Sequence, residues 1–173
     1  MVEMAGVLAI IAVLATMLVP KVLSAINDSR INSTVGSLNA CKSATATYFG
    51  NTGVFTNSTN FDLVLVSSEY LERPFATKMG SGSMVWVTAA PGNGGAGYTF
   101  DGVYTNTATA NGASEVVECL LSNVSIMDAW TLSQRYDGTT LSAANSSSAD
   151  GKGRVAYSFS SGSGTVYIYL GHR

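Results

Sequence analysis

The chain has 173 residues and a formal net charge of −2, and only 12% of its residues are charged. This length is enough for one modest core domain together with an anchor. No basic run occurs in the sequence, so the charge gives no indication of nucleic acid or anionic lipid as an electrostatic partner. Abundant Gly, Ser, Thr and Asn are more typical of an exported, subunit-packed protein than of a cytosolic enzyme.

The first stretch of the chain, residues 1–19 followed by Pro20, is apolar or small except for Glu3. As a helix it would cover roughly 28 Å, close to the apolar thickness of a bilayer, so it can span a membrane. A secretory signal peptide would carry basic residues before the apolar core and a small-x-small cleavage site after it. Here the first basic residue, Lys21, follows the core. The segment is therefore expected to stay in the working protein.

Glu3 is the one charge within this apolar run. A carboxylate in apolar surroundings costs about a few kcal/mol unless it is paired or protonated. The basic groups at this end are α-amino groups, so the N-terminus of one chain can meet Glu3 of a neighbour in a helical stack of identical subunits. The spacing equally allows Glu3 to be an ordinary helix-end charge at the level of the headgroups.

The start of the chain resembles the N-terminal assembly segment of bacterial type IV pilins and of the pseudopilins of type II secretion. The resemblance lies in the order of its features, which are a glutamate, an unbroken Ala/Ile/Leu/Val helix and then Pro-Lys. In that family the glutamate and the proline lie seventeen residues apart, as Glu3 and Pro20 do here (20 − 3 = 17). The resemblance covers about the first fifty residues. Family members usually begin with an N-methylated Phe four residues before the glutamate. Only Met1 and Val2 precede Glu3 here, so either about two residues are missing or the start is atypical.

The resemblance implies a structural protein and not an enzyme. It implies a pilin that waits in the inner membrane and then polymerises with identical subunits into an extracellular filament, or fimbrium, of the kind used in adhesion and motility. A prepilin peptidase, N-terminal methylation and the pilus assembly machinery are implied with it, and no cofactor or metal is expected. Small residues would let helices approach closely, large ones would fill the filament core, and Glu3 would set the register. The predicted assembly residues are Glu3, Ala5, Gly6, Leu8, Ile11, Leu14 and Leu18.

Two other functions stay open. One is a pseudopilin of a type II secretion system, and the other is a membrane-tethered, monomeric enzyme or binding domain. The sequence offers little catalytic chemistry, because His172 is the only histidine and lies next to the C-terminal residue. Asp137-Gly138 and Asp150-Gly151 resemble halves of calcium loops, but ordinary turn aspartates are the favoured interpretation.

Pro20 divides the predicted long helix into residues 1–20, a transmembrane or filament-core segment, and a head of residues 21–173. Because Pro20 lacks an N–H and its ring crowds the preceding turn, a kink or loosening is expected near Thr16 to Pro20. From Lys21 the pattern becomes amphipathic, starting with Val22, Leu23 and Ile26, so one face should pack on the head. The helix is expected to end at Phe49, before Gly50-Asn51.

The rest of the head is predicted to be a small antiparallel sheet, which gives an α+β fold with the long helix packed against it. Asn60 is expected to cap a short helix over Phe61 to Leu71, and Ser114 a second one that ends at Leu121. A polar loop is expected over Ser142 to Gly153, and a hairpin joins the last two strands. The predicted strands are Met84 to Thr88, Tyr98 to Tyr104, Val155 to Phe159 and Thr165 to Leu170.

Cys41 on the long helix and Cys119 in the head are an even number of cysteines in a protein that is expected to be exported, so a disulfide is predicted between them. It would clamp the helix to the head, and the chain-entropy model assigns roughly 4 to 5 kcal/mol to a link of this span. The alternative is two buried thiols that never meet.

Overall fold

The computed structural model describes residues 2–88, 98, 115–146, 149–159 and 162–173, with the side chain of Val2 left out. A long helix lies against a five-stranded antiparallel sheet, so the predicted α+β arrangement is confirmed. The described helices are α1 (Val2–Thr52), α2 (Phe61–Ser67) and α3 (Ile126–Asp137). The described strands are β1 (Gly82–Thr88), β2 (Val116–Ser125), β3 (Ala149–Asp150), β4 (Val155–Ser158) and β5 (Ser163–His172).

Helix α1 ends three residues later than the sequence predicted. Gly50 is absorbed into the helix, and the stop is Gly53, whose φ of +72° is a left-handed conformation that glycine adopts without strain. The amide of Gly53 donates to the carbonyl of Phe49 at 2.8 Å, and the Thr52 hydroxyl donates to the carbonyl of Tyr48 at 2.8 Å. These bonds satisfy carbonyls that the end of a helix otherwise leaves open.

Helix α1 also runs without interruption through Pro20. The Thr16 hydroxyl donates to the carbonyl of Val13 at 2.7 Å, and the Ser24 hydroxyl donates to the carbonyl of Pro20 at 3.1 Å, so hydroxyl groups bond back to the helix on both sides of the proline. The segment from Thr16 to Pro20 is therefore helical in this chain, and the kink stays a prediction.

The strands are arranged in the order β1-β2-β5-β4-β3. Strands β4 and β5 pair antiparallel, with Val155 opposite Ile168, which confirms the predicted hairpin. Strands β1 and β5 start two residues earlier than predicted, β5 also extends to His172, and β4 ends one residue earlier, at Ser158. The predicted strand Tyr98 to Tyr104 lies outside the described residues except for Tyr98. The predicted polar loop of residues 142–153 contains the two-residue strand β3.

The prediction of a helix over residues 114–121 was wrong, because residues from Val116 onward form β2. This strand lies in the sheet between β1 and β5, with Cys119 opposite Val85 on one side and Ile168 on the other. The capping serine is instead Ser125, whose hydroxyl accepts a hydrogen bond from the amide of Asp128 at 3.1 Å and starts α3. Helix α3 itself was not predicted.

Helix α2 begins at Phe61 as predicted but ends at Ser67 rather than at Leu71. Glu69 adopts a left-handed backbone with φ of 63°, and the amide of Tyr70 donates back to the carbonyl of Leu65 at 2.9 Å, so the chain turns away from the helix. Asn60 occupies the predicted N-cap position, but its side chain makes no capping hydrogen bond.

The core lies between one face of the sheet and the C-terminal part of α1. Alternate residues of β1, β2, β4 and β5 point into it, which is the period-two pattern of a strand, and the other face of the sheet carries a second, smaller buried cluster of Tyr98, Val116 and Ala156. Helix α2 adds Phe61 and Leu65, and α3 adds Ala129 and Leu132. The strand residues of this core include Val85, Val87, Val117, Cys119, Leu121, Val155, Val166, Ile168 and Leu170.

Candidate assembly surface

Every residue of α1 from Glu3 to Ile26 is exposed, and we call residues 3–26 the exposed segment. The predicted assembly residues Glu3, Ala5, Gly6, Leu8, Ile11, Leu14 and Leu18 all lie within it. Leu14 is 61% exposed and Leu18 is 63% exposed, although both are large and apolar. Residues of this kind rarely stand together in water, so a surface of this character marks a contact with lipid or with another protein.

The exposed segment is apolar on all sides and has no polar face. Its charged side chains are Glu3 and Lys21, close to its two ends. A helix that is apolar all round is covered either by a membrane or by the interior of a large protein. Here the described residues of the head leave it uncovered, and by length and composition the helix could cross a membrane.

The remainder of α1, residues 27–52, is the packed segment. Its buried residues recur every three or four positions and form one stripe that faces the sheet. The two threonines in the stripe bond to the helix itself, since the hydroxyl of Thr34 donates to the carbonyl of Arg30 at 2.9 Å and that of Thr45 to the carbonyl of Cys41 at 2.8 Å. The stripe consists of Ile31, Thr34, Leu38, Cys41, Ala44, Thr45 and Tyr48.

Polar contacts from α3 mark the border between the two segments. The side-chain amide of Asn27 donates to Asp128 at 2.9 Å, and the Arg135 guanidinium forms an ion pair with Asp28 at 2.8 Å and donates to Asn32 at 2.7 Å. The head therefore begins to cover α1 near Asn27.

The border lies further along α1 than the apolar pattern predicts. Val22, Leu23 and Ile26 were expected to pack on the head, but they are exposed and extend the apolar surface beyond Pro20. The periodicity of the apolar residues correctly predicts a helix here, but it does not indicate how far along that helix the head extends.

Cys41 and Cys119 are both buried as free thiols, so the predicted disulfide is not formed in the structure. The two residues belong to the same hydrophobic core. Burial raises the pKa of the Cys119 thiol well above its usual value, and the nearby groups of Cys41 and Asp62 add to that effect. A buried thiol that holds its proton packs as a small apolar side chain and is a poor nucleophile.

The two aspartates that resemble calcium-loop halves accept hydrogen bonds from backbone and side-chain donors of neighbouring segments. One oxygen of Asp137 accepts from the amides of Arg154 and Val155 at 2.8 and 2.9 Å. Asp150 accepts from the Ser133 hydroxyl at 3.1 Å and from the amide of Ala143 at 2.8 Å. Across the residues that the structure describes, no group of three or more His, Cys, Asp or Glu side chains is placed to hold a metal ion.

A groove of about 1010 Å³ lies between the packed segment and residues 69–78. Ser33, Gly36 and Ala40 form part of its helical wall, and Glu69 and Glu72 lie opposite. Both glutamates are exposed. The groove is thus an open, mixed surface beside the helix.

Comparisons of this chain with protein-family models, with curated proteins and with solved structures found no match.

Proposed function

We propose that the chain is a type IV pilin-like structural subunit, held in the inner membrane before assembly and built afterwards into an extracellular helical filament of identical copies. The observation that carries the proposal is the exposed segment, a predominantly apolar helix that is continuous with the packed segment of α1 in a folded head. The N-terminal resemblance supports the same assignment, including processing by a prepilin peptidase and delivery by the pilus assembly machinery.

The described part of the head does not cover the exposed segment. It extends α1 beyond Asn27, where the contacts with α3 begin, and the helix is uninterrupted, so the segment has no loop that would let it fold back. Leaving its apolar surface in water would be unfavourable by roughly 25 cal/mol for each Å². A bilayer covers the segment in the single subunit, and the same segment of other copies covers it in the filament.

The residue types in the exposed segment suit helix-to-helix packing. In an apolar environment, helices associate through close approach at small residues, while large residues fill the space between them. Ala5 and Gly6 supply the small positions near the N-terminal end. Leu8, Ile11, Leu14 and Leu18 supply the large ones at intervals of three and four, so they follow one side of the helix.

Glu3 gives the assembly its register in this proposal. An unpaired carboxylate in an apolar bundle is costly, so copies that slip along one another lose whatever neutralises Glu3. Hydrophobic packing alone tolerates sliding because it is non-directional. A single charge among apolar residues therefore fixes the axial position.

The test is assembly of the full-length protein after detergent removal, followed by electron microscopy. We expect filaments from the wild type and none from Glu3→Ala, with the head of the variant still folded as judged by Trp86 and Trp130 fluorescence. Glu69→Ala is the matched control, since it removes an exposed glutamate from the head and should assemble normally. Wild-type protein that stays monomeric in bilayers would contradict the proposal, and filaments that stay short and periplasmic in cells would indicate a pseudopilin instead.

A further inference from the structure

The face of the sheet that points away from α1 carries two neighbouring tyrosines. Tyr169 of β5 lies beside Tyr98, with ring centroids 5.4 Å apart and ring planes inclined by 58°. Packed aromatic rings in proteins have centroids about 4.5 to 7 Å apart, so these two rings are in direct contact. Tyr98 is 7% exposed, and Tyr169 is half-buried. The pair belongs to the smaller buried cluster of this face.

Each hydroxyl group of this pair is hydrogen-bonded to a group that can accept its proton. The Tyr98 hydroxyl donates to one carboxylate oxygen of Glu118 at 2.9 Å, and the Tyr169 hydroxyl is hydrogen-bonded to Nδ1 of His172. Burial raises the pKa of both phenols, and the Glu118 carboxylate raises the pKa of Tyr98 further. Neither phenol therefore ionises readily, and loss of an electron from either ring must release the proton to its hydrogen-bonded neighbour.

We propose that Tyr98 and Tyr169 form an oxidative modification site, at which a one-electron oxidant joins the two rings of one chain by a carbon–carbon bond to give dityrosine. The proposal goes beyond filament assembly and does not depend on it, because both residues belong to one folded head. The bond would join residue 98 to β5 across 71 residues (169 − 98 = 71). It would constrain the unfolded chain in the way that a disulfide of the same span does.

The reaction consists of two one-electron steps and one coupling step. Each ring loses one electron to the oxidant, and the two hydroxyl protons pass to Glu118 and His172. The two phenoxyl radicals then join through a ring carbon beside each oxygen. Each of those carbons loses its hydrogen as a proton, and each oxygen takes up a proton to restore the phenol. The chain has then lost two electrons and two protons in all.

Trp86 offers the electron of the buried ring a route to the surface. Its indole N–H donates to the second carboxylate oxygen of Glu118 at 3.1 Å, so Trp86 and Tyr98 are bound to the same group. Trp86 and Tyr169 are both half-buried and therefore partly accessible to solvent. An oxidant in solution can thus act on the pair without entering the cluster.

A second tyrosine pair provides a comparison within the same molecule. The rings of Tyr48 and Tyr70 have centroids 5.5 Å apart and planes inclined by 83°, and Tyr48 is also 7% exposed. Their hydroxyl groups, however, are bonded to the hydroxyl of Thr56 at 2.7 Å and to the side-chain amide of Asn51 at 2.9 Å. Hydroxyl and amide groups are far weaker bases than a carboxylate or an imidazole. The two pairs are equally close, but only the pair of Tyr98 and Tyr169 has a base at each hydroxyl.

The test oxidises the full-length protein in detergent with photogenerated ruthenium(III) tris-bipyridine, and persulfate is the final electron acceptor and is reduced to sulfate. A mixture of 14N- and 15N-labelled chains is treated, digested and analysed by mass spectrometry. We expect a linked peptide that joins residues 98 and 169, is lighter than its two parts by two hydrogen atoms and carries a single isotope. Residues 48 and 70 should remain unlinked.

Conservative variants test whether the link is specific. Tyr98→Phe and Tyr169→Phe should each abolish the linked peptide, whereas Tyr70→Phe changes the second pair and should leave the peptide unchanged. Near-UV circular dichroism checks that each head is folded. If Tyr98→Phe does not fold, Tyr169→Phe decides the matter, because its hydroxyl belongs to a half-buried side chain.

The role of the proton acceptor is tested at His172, which is exposed. His172→Ala should slow formation of the linked peptide by about tenfold or more, because the Tyr169 proton loses its base. Added imidazole should restore the rate, which a purely structural role of His172 would not allow. The proposal is overturned if the wild type gives no peptide joining residues 98 and 169, if that peptide carries mixed isotopes, if residues 48 and 70 link equally well, or if His172→Ala leaves the rate unchanged.

Discussion

The two segments of α1 differ in where they find their partners, although they belong to one helix. Leu14 in the exposed segment is 61% exposed, while Leu38 in the packed segment is 0% exposed. The packed segment concentrates its apolar residues in one stripe and gives the other faces to polar residues. The exposed segment is apolar on every side. A stripe can be covered by one sheet in the same chain, whereas an apolar surface on all sides needs a membrane or several neighbouring helices.

The helix shows that secondary structure and tertiary contacts are set by different features of a sequence. The exposed segment is rich in Ala, Leu and Met, whereas the packed segment has many Ser, Thr and Asn residues, which are weaker helix formers, yet both are helical. The distribution of apolar side chains around the axis then decides whether a helix packs within its own chain or outside it. Substitutions in the exposed segment and in the packed segment test whether the two segments differ in this way.

The largest expected effect is the protection of the buried thiols. Cys41 and Cys119 should react with a small maleimide about a thousandfold or more slowly in the native protein than in denaturant, since labelling requires opening of the core. Ser43→Cys places a thiol two residues away on the exposed side of the same helix and should label at once. Mass spectrometry counts the labels. If the wild type takes no label in denaturant until a reductant is added, the two cysteines are joined in the native protein.

The second prediction exchanges one leucine in each segment. Leu38→Ala should lower the free energy of unfolding of the head by about 2 to 5 kcal/mol, because it leaves a cavity in the core. Leu14→Ala removes the same atoms from the exposed segment and should leave head unfolding unchanged while it weakens assembly. Urea unfolding in detergent, followed by Trp86 and Trp130 fluorescence, measures the head alone. Equal losses of head stability in both variants would show that the two segments do not differ as described.

The third prediction compares two glycines. Gly80 has φ of +68°, and a Cβ there would lie 2.1 Å from the backbone oxygen of Ser122, so Gly80→Ala should destabilise the head by about 1 to 3 kcal/mol. Gly6 is helical, and no atom outside its own helix backbone lies within 4 Å of the position that an added methyl group would take, so Gly6→Ala should leave the head unchanged. Thermal unfolding by near-UV circular dichroism compares them. A stable Gly80→Ala head would mean that the turn before β1 can rearrange.

The smallest expected effect is at the border between the segments. Arg135→Ala should cost about 0.2 to 1 kcal/mol of head stability, since the ion pair with Asp28 is partly exposed and screened by water. The side chains are 38% and 54% exposed, respectively. A double-mutant cycle with Asp28→Ala, repeated at low and high salt, isolates the pair. A coupling that does not weaken with salt would show that the contact is more enclosed than the structure indicates.

Local patterns predicted much of this fold. The long helix, the start of α2 at Phe61, strands β1, β4 and β5 and the last hairpin all followed from periodicity and turn residues. Strand β2 did not, because Glu118, Cys119 and Leu120 are compatible with a helix and become a strand only through pairing with β1 and β5. The start of α3 had a readable signal, with Ser125 three residues before Asp128, but it directly follows a strand that was itself misassigned.

The exposed segment was predicted because its residue composition alone sets it apart. The border at Asn27 was not predictable, since it depends on Arg135, which is 107 residues away from Asp28 in the sequence. The cysteines also show that local sequence does not determine which distant side chains meet. Their number and the expected compartment favoured a bond, whereas their side chains are placed in the core as separate thiols.

The continuity of α1 through Pro20 has a mechanical consequence. In the proposed filament, tension would load each subunit through its exposed segment, and the uninterrupted helix leaves no flexible linker between that segment and the head. The force would therefore reach the helix–sheet interface as shear along the stripe from Ile31 to Tyr48, where it is shared among many side chains at once. In such a filament, the whole core of each subunit would resist pulling along the helix axis.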